Sequence, residues 1–404
     1  MPPILEVFVV WHPGDEGGRQ IGEALLHHFH SVAYSGLAGG AVEVYLRGDS
    51  WDGSQGPPRP TPIHSGWPAA VSKPQFVAYV PVISRGLAVA VEKSVEWRDY
   101  IAEIFEAGKS KSVVVAPIRN KNLNIEGTTL ETIASQIQSV LTVDEDDFSL
   151  IAREVVQAIA QKVDASEGRT GRIRVFVSHT KRSSPTEKML NEDFFLQVRE
   201  VLADTRLGEF FDAADLQVGL DWAASLDQES STDALLMVRT DNYASREWTQ
   251  REVLSAKTHD LPIVSLLAFH EGEDRGSFLM DHVPSIPIDW IESRKSIELS
   301  LSRLVDEALK RSLWLAQSSY LAEQGFDWLP VHSPEPVTVA PWLHDHKEDD
   351  PGDRHLWIIH PDPPLGEFER RVVIRLCELA GFNAKVDILT PRTFAARGGV
   401  VEHG

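Results

Sequence analysis

The sequence predicts an α/β protein built from parallel β-sheets flanked by helices, and its repeated openings carry that prediction. Three stretches begin alike: ILEVFVVWHPGDEGG from Ile4, IRVFVSHTKRSS from Ile173 and HLWIIHPDPPLGE from His355. Each opens on a run rich in Val, Ile and aromatics and meets a histidine: His12, His179 or His360. A polar Gly/Pro/Ser loop and an amphipathic helical stretch follow. A run that is apolar on both faces suits a strand covered by helices on either side of its sheet. Strand, helix, strand with short loops is the parallel βαβ unit.

Taken in order, the first segment continues with strands expected at VEVYLR (42–47), FVAYVPVI (76–83) and SVVVAPI (112–118). The helical pattern DFSLIAREVVQAIAQKV (147–163) closes it, and the acids of VDEDDF (143–148) suit that helix's N-terminal dipole. ASEGRTGR (165–172) reads as a linker. The second segment repeats the plan with EFFDA (209–213), DALLMVRT (233–240) and LPIVSLLA (261–268). The proline- and acid-rich SPEPVTVAPWLHDHKEDDPGDR (333–354) reads as an exposed connection. The third segment offers one further strand, AKVDIL (384–389), and so only one βαβ unit. Such a unit cannot bury both faces of its sheet. Either the chain is cut from a longer one, or this segment completes a neighbouring sheet. The expected division is 1–165, 173–315, a linker at 316–354 and a partial third α/β unit at 355–404.

Composition narrows the function. A formal net charge of −21 over 404 residues argues against a protein whose main task is gripping nucleic-acid phosphates. The single cysteine, Cys377, excludes an internal disulfide framework and fits a reducing compartment. No apolar stretch approaches the roughly 18 residues of a membrane span, and the N-terminus lacks a basic leader region, so a cytoplasmic protein is expected. There is no G-x-x-x-x-G-K-[ST], no G-x-S-x-G and no H-E-x-x-H. His27 and His30 in LHHFH, and the H-x-H at 344–346, fit a solvated helix face and a linker better than metal ligands, so no metal is expected.

The middle segment is more specific. VFVSHTK (175–181), FFDAADLQVGLDW (210–222), SSTDALLMVRTDNYASREWTQREVLSAK (230–257) and EDRGSFLMDHVPSIPIDW (273–290) together resemble a bacterial TIR (Toll/interleukin-1 receptor) domain over about 173–315. The resemblance implies a flavodoxin-like sheet of five parallel strands, and hence tandem flavodoxin-like (TIR-like) domains in the chain. It also implies cleavage of NAD+ between nicotinamide and ribose, with NAD+ as substrate and no cofactor. Many family members use one glutamate in a W-x-x-x-E context on the helix after the third strand, here Trp248 and Glu252. The family's BB loop matches Asp215 to Trp222, with Gly219 free to take a positive φ.

The chemistry suits a lone carboxylate. Nicotinamide leaves as a neutral base without protonation, so what needs stabilising is the positive charge developing on ribose. Offsets of three and seven residues place Ser245, Trp248 and Glu252 on one helical face. Trp248 either walls the pocket or packs in the core. Ser245 either caps the helix or touches a ligand hydroxyl. His179, at a strand's carboxyl end, is a ligand contact or a simple loop residue.

The first segment supplies an internal comparison. In KSVEWRDYIAEI, Ser94, Trp97 and Ile101 align with Ser245, Trp248 and Glu252, so a TIR-like fold without activity is expected there. The resemblance further implies self-assembly into a homo-oligomer or filament and a role in antiviral defence, with a defence-system protein as a partner; a separate possibility is that the terminal domains bind a small nucleotide signal, to which a Rossmann-like layout is suited. The competing expectation is a TIR scaffold that acts through homotypic contacts and hydrolyses nothing.

Overall fold

The computed structural model describes residues 4–34, 42–49, 56–66, 73–135, 141–143, 147–166, 168, 173–180, 185–210, 233–273, 276–323, 335–346, 356–361, 363–382 and 385–396. It is a mixed α/β protein in which every strand pair described is parallel. The chain divides into two compact units, Met1–Glu167 with Pro391–Gly399, and Gly168–Thr390 with Val400–Gly404.

In the first unit β1 (Leu5–Val10) lies inside the sheet, and all six residues are buried, as LEVFVV requires of a strand covered on both faces. It pairs with β2 (Val42–Arg47) on one side and β3 (Phe76–Ile83) on the other. The stretch expected as one strand at 112–118 is two: β4 (Val113–Val115) and β5 (Ile118–Asn120), both on β3. Ala116 still donates to Tyr79 O at 2.8 Å, but Pro117 has no N–H to continue the ladder. With β6 (Leu141–Val143) the order is β2-β1-β3-β5-β6. Helix α1 (Glu16–Phe29) follows β1, and α2 (Pro62–Ser65) precedes β3. After β3 come α3 (Arg85–Lys93) and α4 (Val95–Ala107), then α5 (Thr129–Ala134) and α6 (Phe148–Ser166). Trp97, Ile101, Ile104 and Leu130 pack with Phe8 and Tyr79 in one apolar cluster. Asp147 Oδ1 accepts from Leu150 N at 3.0 Å, an acidic cap at the start of α6.

In the second unit β7 (Arg174–Ser178) lies between β8 (Gly208–Phe210) and β9 (Asp233–Arg239). Adding β10 (Ile263–Leu267) and β11 (Ser285–Pro287) gives the order β8-β7-β9-β10-β11. Its helices are α7 (Pro185–Ala203), α8 (Glu247–Thr258) and α9 (Ser293–Glu323).

Two expectations change downstream. A boundary at 315 falls inside α9, where Ala316, Gln317 and Leu321 are buried. Within the supposed linker, α10 (Pro336–Asp345) buries Val339 and Leu343. It packs with α11 (Glu367–Leu379), β12 (Leu356–Ile359) and β13 (Val386–Leu389). Among the described residues β12 and β13 form a two-stranded sheet of their own rather than extending a larger one. The last helix, α12, is Pro391–Ala396. No helix among the described residues is long and apolar enough to cross a membrane.

Candidate active site

Helix α8 buries Thr249, Glu252, Val253, Ala256 and Lys257. That i, i+3, i+4, i+7, i+8 spacing is the stripe a helix turns toward its core. Val253 and Ala256 do pack there, against Leu235, Met237 and Ile263. Two members of the stripe are charged, and an ionised group buried without compensation costs several kcal/mol. Each has an answer. Lys257 Nζ lies 2.7 Å from Glu335 Oε1 at the start of α10. Glu252, 4 % exposed, accepts a hydrogen bond from the Ser178 hydroxyl through Oε2.

Ser178 is the last residue of β7, so the carboxylate sits at the carboxyl end of the first strand of this unit. The Ser178 oxygen is also 2.5 Å from the Tyr243 hydroxyl. Serine has one hydroxyl proton, and it goes to the carboxylate, so Tyr243 donates to Ser178. Tyr243 O–H, Ser178 O–H and Glu252 thus form one directed chain. Burial, and then the Glu252 charge, push the Tyr243 phenol well above its ordinary range, while the Ser178 bond works the other way. Tyr243 therefore stays a proton donor at neutral pH.

The turn between β9 and α8 is fixed by the helix itself. Thr249 Oγ1 donates to Tyr243 O at 2.6 Å, and Gln250 Nε2 donates to Ala244 O at 2.8 Å. Thr180 and Thr240 join the β7 and β9 exits through their hydroxyls at 3.2 Å. Beyond them, Arg239 holds the loop after β10 by a bidentate bond to Glu273, at 2.7 and 2.6 Å, and a bond to Asp281 at 2.9 Å. Asp241 accepts backbone N–H groups from His270, Glu271 and Gly272 in that same loop. Gly272 meets this geometry with φ +105°.

The other expected site residues divide. The helix starts at Glu247 with Arg246 as its N-cap, so Ser245 is neither a cap nor on the helical face. Its hydroxyl donates instead to Asn242 O at 2.8 Å. Trp248 is 39 % exposed and lies off the buried stripe that holds Glu252. His179 adjoins Ser178, with its ring 4.5 Å from that of Phe195. Asp215, Gly219 and Trp222 lie outside the described residues. Ser178 and Tyr243 were not singled out from the sequence; the one available signal was a serine at the exit of a buried strand.

In the first unit the aligned residues serve a helix cap and the apolar core. Ser94 does cap α4, accepting from Trp97 N at 3.3 Å, while Trp97 and Ile101 are fully within the core. Comparison with known proteins finds no matching family model and no matching curated protein.

Proposed function

We propose that the second unit is a TIR-type NAD+ glycohydrolase in which Glu252 is the catalytic carboxylate. The observation that carries this reading is a carboxylate on the helix after the third strand, buried yet hydrogen-bonded at the exit of the first strand, β7. The order β8-β7-β9-β10-β11 supports this reading, since it runs 2-1-3-4-5 and in open sheets of that order ligands bind at the switch between the first and third strands. Glu252 meets Ser178 at that switch.

The electrostatic role follows from the geometry. As nicotinamide departs, positive charge grows on the ribose, and a fixed anion in a water-poor setting stabilises it without having to reorganise. The Ser178 and Tyr243 hydroxyls hold the carboxylate in orientation. Self-assembly, a product of ADP-ribose type and a role in defence belong to the same proposal through the resemblance.

The purified chain, mixed with NAD+, should release free nicotinamide. Glu252→Gln keeps the size and the acceptor oxygen for Ser178 but removes the charge, and release should fall by about 10²–10³-fold. Nicotinamide release that survives this change would refute the assignment. A second reading, a TIR scaffold without catalysis, draws on the same contacts: a carboxylate held by Ser178 also serves to fix the turn before α8. In that case the wild-type chain, assembled or not, releases no nicotinamide.

A further inference from the structure

Helix α11 carries apolar residues on two opposite faces. Val373 and Cys377 are buried, packed with α10, β12 and β13. At 3.6 residues per turn, Phe368, Val372, Arg375 and Leu379 fall on one line along the helix, roughly opposite those two. Phe368 is 77 % exposed, Leu379 71 % and Val372 49 %. Single exposed apolar side chains are ordinary, but a stripe of them along one helix face marks a contact surface. The spacing 368, 372, 375, 379 alternates steps of four and three, as in a seam between two helices.

The stripe is self-complementary. A two-fold axis between residues 373 and 374 sets Phe368 against Leu379, and Val372 against the aliphatic stem of Arg375. An isologous contact of this kind uses the same patch on both subunits. Arg371 and Glu378 flank the stripe on the same side. In an antiparallel pair that flank meets itself, so each Arg371 comes to the other chain's Glu378. A parallel pair in register would instead set Arg375 against Arg375, with the helix dipoles aligned unfavourably. Within one chain Arg371 pairs with Glu367, and Arg375 with Glu378 at 2.6 Å, all at exposed positions. Such surface pairs are worth little and exchange partners readily.

We propose that this chain forms a symmetric dimer by packing α11 antiparallel on α11 of a second copy. The 13 residues of α11 give a seam about 20 Å long. That is less than the roughly 800 Å² per partner of a standard interface, so the dimer is a weak one. The contact lies outside residues 173–315 and stands whether or not the second unit consumes NAD+.

Sedimentation equilibrium of the full chain from about 1 μM to about 1 mM tests it. The mass should rise toward twice that of the chain. Val372→Glu places a charge in the seam and should weaken dimerisation at least about tenfold. Arg371→Glu sets like charges together and should weaken it by about tenfold. Adding Glu378→Arg to that variant should recover most of the loss, a rescue that only the antiparallel register provides. All three substituted side chains are exposed, so thermal melts should match wild type. Self-association that Val372→Glu leaves intact, or a charge swap that rescues nothing, would overturn the proposal. A chain that stays monomeric at millimolar concentration would overturn it too, leaving the stripe to a different protein.

Discussion

Ser178 is a small residue with a large duty. Replacing it with alanine removes the donor to a carboxylate that is 4 % exposed. A buried charged acceptor left short of its partner costs about 1–3 kcal/mol, so Ser178→Ala should lower the urea midpoint of the second unit without changing its secondary structure. Cys377 makes a contrasting case. It is fully buried, and burial pushes its thiol up to about 11. The folded protein should therefore leave a thiol reagent such as DTNB unreacted at pH 8, and one thiol per chain should appear on adding denaturant. Labelling of the native chain at the rate of free cysteine would contradict the packing around β12 and α11.

Elements were legible in the sequence wherever periodicity was local. VEVYLR and FVAYVPVI are β2 and β3 to the residue, because uninterrupted runs of strand formers pair along their whole length. SVVVAPI hid its break because Pro117 is apolar and was counted with the run. Residues 336–345 hid a helix behind two prolines, yet Pro336 stands in the first turn, where its missing N–H costs nothing, and Pro341 is tolerated inside. Ser178 and Tyr243 were out of reach, since the sheet brings them to their partners across 65 and 74 residues of chain. The same holds for Lys257, whose role is visible only once α10 is in place. Removing one partner of such a pair is costly, about 3–5 kcal/mol. Glu335→Ala should therefore destabilise the second unit by roughly that much in urea unfolding, whereas Lys257→Met with Glu335→Leu should recover most of the loss. A single variant as stable as wild type would mean that the ion pair contributes little.

Across the whole chain, two buried groups give the units opposite responses to acid. Glu6 on β1 is 3 % exposed, and burial, with a further push from Glu43 against the pull of Arg47, raises its carboxyl to about 7. Above its ordinary 4.5 the unfolded chain releases a proton that the fold retains, so the first unit loses stability as pH rises from about 4.5 to about 7. His360 at the exit of β12 is lowered to about 4 by burial, partly offset by its bond to Pro361 O. Below 6.5 the unfolded chain takes up a proton that the fold refuses, so stability there is lost as pH falls from 6.5 toward 4. Hydrogen exchange, corrected for its intrinsic pH dependence, should slow in β1 and quicken in β12 between pH 7 and pH 5. Parallel changes in both strands would show that these two groups do not govern the response. The tie between Lys257 and Glu335 has a practical outcome for dissecting the protein. Severing the chain at the end of α9 would strand an ammonium in an apolar seam five residues from Glu252, so the shortest excised piece worth assaying must run beyond residue 335.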